Sequence, residues 1–136
     1  MQRCISRQAN KGMNTHFSPE HVIQRQLDAY NAKDVEALVA IYAEDAQTFE
    51  HPSKLVASGI SELRQRFKVR FQEPNLHAAL LKRIVMGHIF IAHELVTRTF
   101  PEGAGTLKLT MIYEVQNGKI SKAWMIPGSQ KIDPKT

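Results

Sequence analysis

The chain has 136 residues and a mass of 15.4 kDa, with 43% apolar and 23% charged residues, the size and balance of one globular domain. That balance excludes an intrinsically disordered chain, and no run approaches the ~18 to 20 consecutive apolar residues that cross a bilayer, so no membrane partner is expected. The net charge of +5 is concentrated early: residues 1–14 carry Arg3, Arg7 and Lys11 and no acid, leaving 15 basic groups against 13 acidic ones over the remainder. A distribution so even lacks the basic stripe with interleaved aromatics of a nucleic-acid binder.

Cys4 is the sole cysteine, which rules out an internal disulfide and a cysteine zinc cluster and agrees with a reducing compartment. The opening MQRCISRQANKGMN lacks the continuous apolar segment of ~7 to 15 residues that a secretory signal needs. Residues 1–14 are therefore expected to form a flexible arm, with Met13 an alternative start, ahead of a single domain over 15–136 in a cytoplasmic protein. Ser18-Pro19-Glu20 combines a hydroxyl cap, a proline at the first helical position and an acid in the first turn. Val22, Ile23, Leu27 and Tyr30 then recur at helical spacing, predicting a helix to about Ala32.

Asp34 caps a second predicted helix, whose stripe of Val35, Leu38, Val39, Ile41 and Tyr42 runs to Glu44-Asp45. AQTFEHP reads as a short strand broken by Pro52, with KLVAS returning as its hairpin partner before Gly59. A third helix, about Ile60 to Gln72, presents Leu63, Phe67 and Phe71 at i, i+4 and i+8, with Arg64, Arg66, Lys68 and Arg70 mostly outward. Beyond Asn75 the chain turns to strands: 76–86 and 89–100 about Gly87-His88, then Thr106 to Val115, then about Lys119 to Ile126 after Asn117-Gly118. That last dipeptide suits a type I′ turn, whose two central residues both need positive φ. The expected fold is α+β, a cone-shaped barrel with three N-terminal helices packed on a strongly curved, mainly antiparallel sheet. A sheet bent over helices encloses a pocket.

The order of elements, with VIQRQLDAYNAKDVEALVAIYAEDAQTFEHP, SGISELRQRF and YEVQNGKISKAW, resembles the nuclear transport factor 2-like superfamily, and within it ketosteroid isomerase and the polyketide-cyclase-like small proteins, over about 19–128. The superfamily hosts isomerases, cyclases, dehydratases, hydrolases and non-catalytic binding proteins, so the fold alone does not choose a reaction. In ketosteroid isomerase an aspartate base moves a proton while a tyrosine and a protonated aspartic acid stabilise the oxyanion. The resemblance puts His51, before Pro52, at the position of the base, Gln26 at that of the tyrosine and Met111 at that of the aspartic acid, while Tyr42 matches a tyrosine of the supporting network. Both acid donors are thus missing. Loss of one oxyanion donor costs ~10²- to 10³-fold in rate, which argues against steroid isomerisation by that mechanism.

Glu50 and His51 are the candidate catalytic groups. Strand neighbours point to opposite faces, so one of them is expected to face the pocket, and the sequence leaves open which. An inward His51 would be a neutral general base, and an inward Glu50 would be pushed by burial toward the same pH range. Gln26, Tyr42, Phe67, Met111 and Tyr113 are the candidate substrate-binding residues, an apolar wall carrying a few hydrogen-bonding groups. The histidines at 16, 21, 77, 88 and 93 show no metal-ligand spacing, His93-Glu94 being adjacent on a strand and hence on opposite faces, so no metal or other cofactor is expected. Trp124 should lie on the outer sheet face, through which similar proteins commonly dimerise. Two readings remain: an isomerase- or lyase-type enzyme acting on a small apolar molecule with His51 or Glu50 as base, and a non-catalytic homodimer that binds an apolar ligand or a protein partner.

Overall fold

The computed structural model describes residues 18–134, so the arm expected over 1–14 lies outside the described residues. Helix α1 spans Pro19–Asn31 and starts where the cap predicts, with the Ser18 side chain accepting from the His21 amide at 3.2 Å. Its buried side is Val22, Ile23, Gln26 and Ala29, a stripe at helical spacing that seats one amide among apolar neighbours. Lys33 takes a left-handed turn at φ 57, and Asp34 then accepts from the Ala37 amide at 3.1 Å to cap α2.

Helix α2 is shorter than its apolar pattern predicts, covering Val35–Val39 only, and strand β1 already begins at Tyr42 and runs to Glu50. The reason is tertiary. The Ile41 carbonyl accepts from the Ile120 amide at 2.9 Å and Tyr42 pairs with Ile120, so the last strand captures a backbone whose local pattern suits a helix. Strand β2 (Lys54–Ser58) returns antiparallel to β1, and helix α3 (Ile60–Arg70) follows from Gly59. Leu63 is buried on α3, with Phe67 and Phe71 packed against the core.

Four strands complete the sheet: β3 (His77–Met86), β4 (Ile89–Phe100), β5 (Gly103–Gln116) and β6 (Lys119–Ile132). Their order is β2-β1-β6-β5-β4-β3, antiparallel throughout except for β1 against β6. Asn117 and Gly118 have φ of 53 and 76, the two positive values a type I′ hairpin requires. At the β3–β4 turn Gly87 has φ 59 while His88 is not left-handed, the pattern of a type II′ hairpin. Strand β6 continues well past Ile126 because Gly128 admits the β5 backbone: a Cβ there would stand 2.7 Å from the Lys108 carbonyl oxygen.

The architecture is the expected cone-shaped α+β fold, with the helices on the concave face of the bent sheet. Along β4 the alternation is regular, with Phe90, Ala92, Glu94 and Val96 buried on the concave face. The convex face carries an unbroken apolar row, one residue per strand, through Ile84, Ile91, Ile112, Trp124, Phe49 and Leu55, each the register partner of the next. Phe49 and Trp124 stack at 5.8 Å, as the expected placement of Trp124 on that face requires. No helix among the described residues is long and apolar enough to cross a membrane.

Candidate functional site

Between the concave face and α1 and α3 lies a cavity of about 160 Å³. Gln26 from α1, Tyr42 from β1, Phe67 from α3 and Met111 and Tyr113 from β5 all line it, so the five expected binding residues come together. Edge-to-face and tilted contacts of Tyr30 with Phe67 at 6.5 Å and of Tyr42 with Phe67 at 5.9 Å build one aromatic wall.

Glu50 and His51 do not line the cavity. His51 is exposed in the turn after β1, its amide donating to the Met125 carbonyl at 2.8 Å. Glu50 is half-buried; its register partner Met125 puts it on the concave side, near enough to Arg66 to favour the charged guanidinium. Of the pair, Glu50 is thus the one on the concave side, and neither side chain is among those that line the cavity.

The carboxyl inside the cavity belongs to Glu94. It is 6% exposed, lines the cavity wall, and forms no hydrogen bond or ion pair with another side chain among the described residues. Burial pushes its pKa up to about 7, from an ordinary value of 4.5. The hydroxyls of Tyr42 and Tyr113 are pushed well above the usual phenol range, first by burial and then by the nearby charge of Glu94, so both stay protonated and able to donate. The Gln26 side chain, hydrogen-bonded to Tyr42, opposes that shift in part. Burial raises Tyr30 as well, against the opposing influence of Arg70, which hydrogen-bonds its hydroxyl.

In the sequence the parity that separates His93 from Glu94 argues against a metal pair and gives Glu94 no role of its own. The parity was sound, but the useful signal lay in the i, i+2 row Phe90, Ala92, Glu94, Val96, where one acid interrupts an apolar face. His93 lies on the convex side, 3.5 Å from the Thr110 hydroxyl. His77 pairs with Thr97 while His93 pairs with Lys82, so the two histidines do not meet, and no cluster able to hold a metal occurs among the described residues.

The wall also carries Arg66 and Arg70 of α3 and Arg98 of β4, with Arg66 exposed to solvent at the same time. Arg66 and Arg70 stand three and seven residues beyond buried Leu63, on the edge of the same helical stripe. Glu73 binds Arg98 through two nitrogens at 2.8 to 3.1 Å and reaches Arg70 at 3.5 Å. Burial alone would raise Glu73, but hydrogen bonds from Arg98 and from the Thr99 amide hold it below the usual carboxylate range. Arg66 forms no salt bridge among the described residues.

Comparison with known proteins gives one family match and a set of shared folds. The SnoaL-like domain model matches residues 23–123. An uncharacterized cystatin-fold protein from Novosphingobium aromaticivorans is 23% identical, with a TM-score of 0.73 over 80% of this chain and 97% of that one. An NTF2-like protein of unknown function from Cytophaga hutchinsonii is 11% identical, with a TM-score of 0.69 over 82% of this chain and 91% of its own. A ketosteroid isomerase-like fold from Catenulispora acidiphila, solved in complex with trimethylamine, is 12% identical, with a TM-score of 0.68 over 79% of this chain and 85% of that one. At these identities the structures share a fold and nothing finer. No curated protein matches the chain significantly.

Proposed function

The chain belongs to the SnoaL-like domain family, within the nuclear transport factor 2-like superfamily, and from that premise we propose that it binds a small, largely apolar molecule in its cone and moves a proton with Glu94. The observation that carries this reading is a carboxyl buried in the cavity wall with no ion pair among the described residues, half ionised near pH 7. A group poised there serves as acid or base with little driving-force penalty. The ionised carboxylate takes a proton from carbon, the electron pair moves onto an adjacent carbonyl oxygen, and the Tyr42 or Tyr113 hydroxyl donates to the oxygen as charge develops. Return of the proton to a different carbon makes an isomerisation; departure of a β-substituent makes a lyase step.

A steroid is not the substrate under this reading. The two oxyanion positions suggested by the resemblance hold Gln26 and Met111, and a cavity of about 160 Å³ suits a body close to the benzene that a ~150 Å³ apolar cavity accommodates. The test uses a neutral carbon acid, 5-nitrobenzisoxazole, whose isoxazole ring opens at the N–O bond when a base removes the proton at C3. Its turnover should rise with pH through about 7 in the wild type and fall to the buffer rate in Glu94→Gln. Equal rates in the two proteins would remove Glu94 as the base and leave a ligand-binding module.

The convex apolar row supports a second part of the proposal, a homodimer through the outer sheet face. Ile84 and Leu55 at its ends are 57% and 49% exposed, an apolar band that a second copy would cover. Sedimentation velocity should give a dimer for the wild type and a monomer for Trp124→Arg; a monomeric wild type at micromolar concentration would refute it.

A further inference from the structure

We propose that the ligand is a small organic anion, a carboxylate whose apolar body is about the size of one six-membered ring, held by Arg66 with Arg70 and Arg98 at the exposed side of the cavity. The inference rests on the cavity assigned above and adds the charge of what enters it. Apart from the tyrosines, the ionisable groups on the wall are three arginines and Glu94. Glu73 is shared between Arg70 and Arg98, so this pair keeps an excess positive charge. Arg66 has no salt bridge among the described residues; it is partly desolvated and repelled by Arg70, with the charge of Glu50 a favourable influence.

Glu94 does not neutralise this group. It stands four residues from Arg98 on the same face of β4, about 13 Å away along an extended strand, and the two form no ion pair. A guanidinium at an apolar wall without a fixed partner favours an incoming carboxylate, which it can grip through two parallel hydrogen bonds. A cation would be repelled by the arginines there, and a neutral ligand would gain nothing from their charge. The apolar span between the arginines and Glu94, lined by Leu107, Leu109 and Met111, then holds the carbon skeleton with its far end toward the proton-transfer carboxyl.

Titration calorimetry with benzoate, its neutral isostere benzamide and the benzylammonium cation tests the charge preference, at about pH 6 where benzoate is ionised and Glu94 mostly neutral. Benzoate should bind at least about tenfold more tightly than either analogue. Arg66→Gln should bring benzoate to within about twofold of benzamide without lowering the melting temperature. Should that variant fold poorly, raising salt on the wild type gives the same reading, because it should weaken benzoate and leave benzamide unchanged. Benzamide binding as tightly as benzoate, or no benzoate binding, overturns the proposal. Base chemistry is read with the benzisoxazole and anion recognition with benzoate, so a failure of Glu94 as base is separable from a failure of anion recognition.

Discussion

Glu94 is the residue on which the proposed chemistry turns, and its environment makes a signed prediction about stability. Its folded pKa of about 7 lies above the ordinary 4.5, so the native state holds this proton more tightly than the unfolded chain. The associated stabilisation is complete below about pH 4.5 and is lost as pH rises through about 7. A shift of that size corresponds to roughly 3 kcal/mol. Urea unfolding across this range should show the wild type losing about that much relative to Glu94→Gln, which has no carboxyl to ionise. Parallel curves for the two proteins would mean that Glu94 titrates normally. Tyr42→Phe and Tyr113→Phe should each keep the fold and slow benzisoxazole turnover far less than Glu94→Gln does, since that substrate tests the base more than the donor. The residue level was also the hardest to read in advance. Gln26, Tyr42, Phe67, Met111 and Tyr113 were legible because a motif or strand parity fixes their side of the chain, whereas choosing Glu94 required knowing which face of β4 is concave.

At the scale of elements, caps and hairpin turns were legible because their causes are local. Ser18 and Asp34 each satisfy a helix amide within three residues, and Asn117-Gly118 supplies the positive φ values its turn needs. The end of α2 was not legible, because Tyr42 is drawn into the sheet by Ile120, 78 residues later. A second long-range device secures the edge strand β3. The Asn31 side chain donates to the Ala78 carbonyl at 2.9 Å and accepts from the Ala78 amide at 2.8 Å, occupying backbone groups that an edge strand otherwise leaves free. Asn31→Ala should therefore cost about 2 kcal/mol in urea unfolding, the sum of two part-buried bonds. It should also raise hydrogen exchange at Ala78 before exchange in β5 or β6. No loss of stability would show that water replaces the amide without cost.

For the whole molecule, the bent sheet divides labour between its faces. The concave face and the helices make a low-dielectric chamber that raises Glu94 and keeps two phenols protonated, while the convex face gathers an apolar row across all six strands. One curvature thus produces both a chamber and an apolar outer band. The cone fold was legible from element order and hairpin signals, but the volume of the chamber and the arginines on its wall depend on how α3 rotates against the sheet, which no local pattern encodes. The proposed proton transfer depends most directly on the ionisation of one carboxyl in that chamber. Carbon-13 NMR of glutamate side-chain carboxyls, with Glu94→Gln to identify the resonance, should find one group titrating near pH 7; a Glu94 midpoint near 4.5 would contradict the account.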